Sequence, residues 1–140
     1  MATVYRRKRT LFAHASSLTN DGVWILTEPV LTLDESATDA DIGAVVQAAL
    51  EKSHINVPHP KNWSELLKPL LKEAGVKSWA RFVEGSSCVV IEFGSGKLSV
   101  IPTENLGSDG GFEDRPAGGV RLNSLNASEI GSTVRELLSD

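Results

Sequence analysis

One cysteine, one methionine and one tyrosine are all that the 140 residues contain of those types. A lone thiol, Cys88, excludes an intramolecular disulfide and points to a reducing, cytoplasmic setting. Histidine is scarce too. His54 and His59 stand five apart, which is not a strong zinc spacing, and neither Cys88 nor a nearby acid completes four ligands. No apolar run approaches the roughly 18 residues of a membrane helix. Thr10 to Ser17 is short and interrupted by His14, so no signal peptide is expected. No metal, cofactor or membrane partner is therefore anticipated.

Chemical motifs are missing as well. Gly94-Ser95-Gly96-Lys97 lacks the length and the following Ser or Thr of a phosphate loop, and it precedes a strand. Gly107 to Phe112 has no βαβ context for a dinucleotide. Cys88 lies in an apolar strand, where a thiol is a small core residue rather than a nucleophile. No Ser, His and Asp set stands in a local motif, although triads also assemble from distant positions. Two function classes follow: a binding protein, or a small hydrolase or nucleotide-handling enzyme whose residues gather only in the fold. A third is a subunit that pairs an apolar strand edge with its own copy.

What is present suits one folded domain over residues 1–140. Chains of this length bury roughly two-thirds of their unfolded surface, and 41% hydrophobic with 23% charged residues argues against wholesale disorder. The net charge is -4 and unevenly spread. Arg6, Arg7, Lys8 and Arg9 take four of the 14 basic residues, leaving ten against 18 acids. An acidic body repels nucleic acid and suits a basic protein partner. Beside it, the four-residue basic run is a weak nucleic-acid footprint.

The chain reads as α+β: a mostly antiparallel sheet of about five or six strands with three helices. Residues 2 to 14 read as one strand whose exposed positions are basic. Thr19 to Gly22 is a turn, since Asp-Gly tolerates positive φ. Val23 to Leu33 reads as a buried strand, with a bulge or an edge at Glu28-Pro29 because proline cannot donate a ladder hydrogen bond. Thr38 caps a first helix carrying Ile42, Val45, Val46, Ala49 and Leu50. A second helix opens at Asn62, kinks or restarts at Pro69 and stops at Gly75. Trp63 and Trp79 are expected in the core, with His59 packed beneath this helix. Lys77 to Glu84, Ser87 to Phe93 and Lys97 to Ile101 read as a three-stranded meander. Val120 to Leu122 adds a short strand, and Ser128 to Leu138 a last helix capped by Asn126. The first and last helices share the pattern acid-Ile-Gly-x-x-Val-x-x-x-Leu, from Asp41 and from Glu129. Duplication or common helix-start chemistry explains the echo, and the glycine in each allows close approach of a neighbour.

Three stretches carry a resemblance. They are DGVWILTEPVLTLDESATDADIG (Asp21 to Gly43), VPHPKNW with KPLLKEAGVKSW (Val57 to Trp79) and IPTENLGSDGGF (Ile101 to Phe112). In these the chain resembles the immunity proteins of contact-dependent growth inhibition, the CdiI type. The resemblance implies a cytoplasmic protein, not an enzyme, that binds and blocks the C-terminal toxin domain of a delivered effector. Such toxins are often nucleases. It supplies no catalytic residue and does not place the toxin contacts. For these the residues offer two acidic groups: Asp34 and Glu35 beside the first helix, and Glu104, Asp109, Glu113 and Asp114 with an exposed Phe112 in the glycine-rich loop. The free protein is expected to be a monomer.

Overall fold

The structure, a computed structural model, describes residues 1–138. Seven antiparallel strands form one sheet: β1 (Ala2–Arg7), β2 (Thr10–Leu18), β3 (Trp24–Asp34), β4 (Ser87–Gly94), β5 (Lys97–Asn105), β6 (Phe112–Asp114) and β7 (Val120–Leu122). Their order is β3-β2-β1-β4-β5-β6, with β7 pairing a second stretch of β5. The basic run therefore does not lie along one strand. Lys8 and Arg9 are the two-residue turn between β1 and β2, with Arg7 opposite Thr10 and Lys8 at φ 55°. The two strands hold the centre of the sheet, and their tight turn carries the charge out of it.

Side chains alternate across the sheet, so each face has its own core. Ala2, Val4, Leu11, Ala13, Val89, Ile91, Leu98 and Val100 point to one face. There they meet α1 (Asp39–Glu51) and α4 (Ala127–Leu138) through Ile42, Val46, Ile130, Val134 and Leu138. Each helix begins on a side-chain cap: Thr38 accepts from the Asp41 N–H, and Asn126 from the Glu129 N–H. The sequence echo becomes a reciprocal contact. A Cβ on Gly43 would lie 1.8 Å from the Ala127 carbonyl oxygen, and one on Gly131 would lie 1.7 Å from that of Asp39. Each glycine admits the first turn of the other helix, and the two run antiparallel. Polar side chains repeat the reciprocity: Gln47 donates to the Leu125 carbonyl, and Arg135 donates to those of Glu35 and Ala37 while pairing with Asp39.

The other face is aromatic. Tyr5, Phe12 and Cys88 lie under Leu70 and Phe82, with Trp79, Leu26, Val30 and Phe112 at the margin. Tyr5 meets Phe82 edge-on at 5.1 Å, and Trp79 stacks on Phe82 at 5.7 Å. Offset and edge contacts of this kind are worth about 0.5–1.5 kcal/mol each beyond area burial. The cover here is α2 (Lys68–Ala74) and α3 (Trp79–Val83), preceded by a 3-10 turn at Trp63–Glu65. Asn62 caps that turn, the chain restarts as a helix at Lys68 with Pro69 in its first turn, and Gly75 ends it in the left-handed region at φ 71°.

Two strand expectations need correction. Lys77 to Glu84 is not a strand: Ser78 accepts from the Arg81 N–H and starts α3. Trp79 and Phe82 are three apart, which puts them on opposite faces of a strand but on one face of a helix. The described residues hold four α-helices instead of three. The stretch from Val23 to Leu33 is an edge rather than a buried strand. Among the described residues β3 pairs only with β2, and its register shifts between Ala13 and Ala15, opposite Glu28-Pro29, so the bulge and edge expected at this cis bond are both present.

Candidate protein-binding surfaces

The strand registers give the sheet two different ends. At one end lie the turn Lys8–Arg9, the C-termini of β3 and β5, and β6. Asp34 and Glu104 stand four strand steps apart across this end, roughly 19 Å by strand spacing. Both predicted acidic groups are therefore here, but on opposite sides of the basic turn, which the sequence could not reveal.

Most of these acids already have work within the fold. The Ser36 hydroxyl and the Ser36 backbone N–H both donate to Asp34 Oδ1, at 2.7 and 2.9 Å. These bonds, with the Arg9 charge nearby, hold the Asp34 carboxyl below its usual range. Glu35 lies 3.6 Å from Arg9, its N–H donates to the Arg9 carbonyl, and its own carbonyl accepts from Arg135. Glu104 and Glu113 both pair with the guanidinium of Arg115. Asp109 and Asp114 are exposed and form no ion pair among the described residues. Phe112 is not a free ring. It is half-buried against Tyr5 at 5.6 Å and Trp79 at 6.0 Å, because its strand, β6, folds it back onto the aromatic face.

The opposite end carries the turn between β2 and β3 and the segment that follows α1. Thr19 organises it. Its hydroxyl accepts from the Val23 N–H at 3.1 Å and lies 3.4 Å from His59 Nδ1. His59 also sits 3.2 Å from Asp21 and meets the Trp63 ring edge-on at 4.7 Å. Backbone bonds stitch the neighbouring segment in place: Leu18 N–H to His54, Val57 N–H to Leu18 and Asn20 N–H to Val57. Trp63 is 47% exposed and Trp24 44%, so the expected core role of Trp63 is corrected. The cause is its place in a 3-10 turn at the margin of the aromatic face. Trp79 alone of the three tryptophans packs in a cluster.

Catalytic candidates stay scattered. His14 is buried in β2, the His54 N–H caps onto Ser17, and His59 stands at the exposed end. The His59–Asp21 pair faces Thr19 and Trp63, and Thr19 is only 2% exposed, so its hydroxyl is closed to a substrate. Burial pushes the Cys88 thiol well up, away from thiolate chemistry. Among the described residues no three His, Cys, Asp or Glu side chains are grouped to hold a metal ion. Among the described residues no helix is long and apolar enough to cross a membrane.

Known proteins share this architecture. The structure of a protein of unknown function from Neisseria meningitidis superposes with a TM-score of 0.81 at 19% identity, over 99% of this chain and 92% of that one. The CdiA-CT/CdiI toxin and immunity complex from Yersinia pseudotuberculosis gives 0.77 at 17% identity, over 98% and 93%. Identities this low establish a common fold. No curated protein matches. A family model described as CDI immunity protein matches residues 26–140, from β3 onwards. The chain belongs to the CdiI family of CDI immunity proteins.

Proposed function

We propose that this chain binds and neutralises the C-terminal toxin domain of a contact-dependent growth inhibition effector, and that the toxin is a nuclease. Residues 1–140 act as a single immunity domain in the cytoplasm of the producing cell. The free protein is a monomer, has no catalytic activity of its own and binds no nucleic acid. The observation that carries this reading is the family match over residues 26–140. A fold shared with a chain of a toxin and immunity complex supports it.

Charge supports the nuclease part. A nuclease cleft binds polyphosphate and is cationic, so a carboxylate-rich surface competes for it and speeds encounter. Asp109 and Asp114 are our first candidates, being exposed and unpaired among the described residues. Asp34, Glu35, Glu104 and Glu113 stand behind them, already engaged by Ser36, Arg9 and Arg115. Phe112 borders the same surface with one side of its ring covered.

Calorimetry with the purified toxin domain encoded beside this gene tests the reading. A one-to-one complex and loss of nuclease turnover are expected. Failure of that toxin to bind, or a complex that leaves turnover intact, sinks it. Asp109→Asn with Asp114→Asn should slow association at low salt and leave dissociation nearly unchanged.

A further inference from the structure

Six of the eight large apolar side chains most exposed among the described residues stand at the end of the sheet away from the basic turn. Phe93 and Leu125 are on the α1–α4 side. Val23 bonds to Thr19 and Trp63 meets His59, while Trp24 pairs with Leu18 on one side and Ile55 lies in the His54–Val57 segment bonded to Leu18 on the other. The same chain buries Phe82 and Leu70 completely, and it packs Trp79. Exposed apolar side chains that gather in one place mark interaction surfaces, and tryptophan is the residue most enriched among binding anchors.

We infer that Trp24, Trp63 and Ile55 form the apolar anchor by which the toxin domain is held, at the end of the sheet opposite the acidic loop. This rests on the immunity reading above. The surface is preorganised: the β2–β3 turn, the segment His54–Val57 and the His59 ring are fixed by hydrogen bonds to Leu18, Thr19 and Asn20. Binding then costs little ordering entropy. It is also weakly charged, since Asp21 is paired with His59. The partner it fits presents an apolar concavity with carbonyl or carboxylate acceptors. Neither indole N–H has a hydrogen-bond partner among the described residues, and each offers one donor. A second copy fits less well, because two chains of net charge -4 repel. A relative of the same fold has been solved in complex with a toxin.

The two ends are thereby given different roles. The charged end faces the cationic cleft and sets encounter. The apolar end acts in contact and sets residence time.

Stopped-flow and surface-plasmon measurements on the full chain and the neighbouring toxin domain test this with Trp24→Ala, Trp63→Ala and Ile55→Asp. Ile55 is 68% exposed, so Ile55→Asp keeps the fold and guards against a loss caused by unfolding. Each variant should raise Kd about tenfold or more, nearly all of it through faster dissociation. Toxin binding by the unsubstituted chain that survives all three within twofold overturns the inference and leaves the immunity reading standing. No binding by the unsubstituted chain overturns both. A concentration-dependent dimer that the three substitutions dissolve assigns the patch to a second copy and overturns the inference alone.

Discussion

The two faces of the sheet are built by different means. Under α1 and α4 the core is aliphatic, both helices are capped, and their contact is a reciprocal pair of glycines. Under α2 and α3 it is aromatic, the covering helices are seven and five residues long, and a 3-10 turn leads into them. Helices that short are marginal on propensity alone and persist through packing. The aromatic face also holds the buried polar atoms without partners among the described residues, Arg7 Nε and His14 Nε2. One face is thus close to an idealised layer. The other carries the irregular segments whose margin exposes Trp24 and Trp63. The two exposed tryptophans thus belong to the irregular side, and the one that packs, Trp79, sits over its aromatic core.

The largest expected effect tests how firmly the aromatic face is built. Phe82 is fully buried and touches Tyr5, Phe12 and Trp79. Phe82→Ala should cost about 3–5 kcal/mol in urea unfolding. A loss under about 1 kcal/mol would show that α3 only drapes the sheet. Gly131→Ala strikes the other face. The new methyl would meet the Asp39 backbone, which cannot swing aside, so about 3 kcal/mol and a drop in Tm are expected. An unchanged Tm would mean that the helix pair slides apart freely, and the contrast between the faces would fail.

A smaller effect comes from pH. Burial lowers the His14 pKa, and the bond from Nδ1 to the Ala15 carbonyl offsets this only in part. With Nδ1 donating, Nε2 is the bare nitrogen without a partner. The folded protein therefore keeps His14 neutral, while the unfolded chain takes up a proton below about pH 6.5. Stability is full above that pH and falls as pH drops below it towards the folded pKa. Comparing urea midpoints at pH 7.5 and 5.5 measures this, and His14→Gln should flatten the slope. An equal slope in that variant would place the titration elsewhere. Smallest of all is Glu35→Gln. Its pair with Arg9 is solvent-exposed, so unfolding should shift by no more than about 0.5 kcal/mol. A shift above 1 kcal/mol would reveal a structural role at the charged end.

Local chemistry was readable wherever it acts within a few residues. Thr38 and Asn126 declare their caps three residues from the N–H groups they satisfy, and Gly75 stops α2 in the conformation that favours glycine. The hairpin at Gly94 to Lys97 and the short strand at Val120 were visible for the same reason. The glycine echo promised a close approach without saying of what, and the partner proved to be the echo itself. Two basic residues at a tight turn passed for part of a strand, because apolar residues alternate on both sides of it. Trp79 and Phe82 read as strand residues from local pattern, and the Ser78 cap with the sheet beneath them makes that segment helical. For the candidate sites, composition identified the acids but not their neighbours. Arg115, Ser36 and Arg9 occupy most of them, and two of those three contacts bridge separate segments.

By itself the sequence determined the α+β class, the helix caps and stops, and the residues that bear the family resemblance. These depend on hydrogen bonds and periodicity within one turn or one strand. The tertiary structure alone decided how little of β3 is buried, that the two acidic groups flank a basic turn, and that Trp24 and Trp63 are exposed while Trp79 packs in the aromatic cluster. Exposure is a property of what lies opposite a residue. That is set by strand order and by which segment covers which face, and no local pattern encodes it.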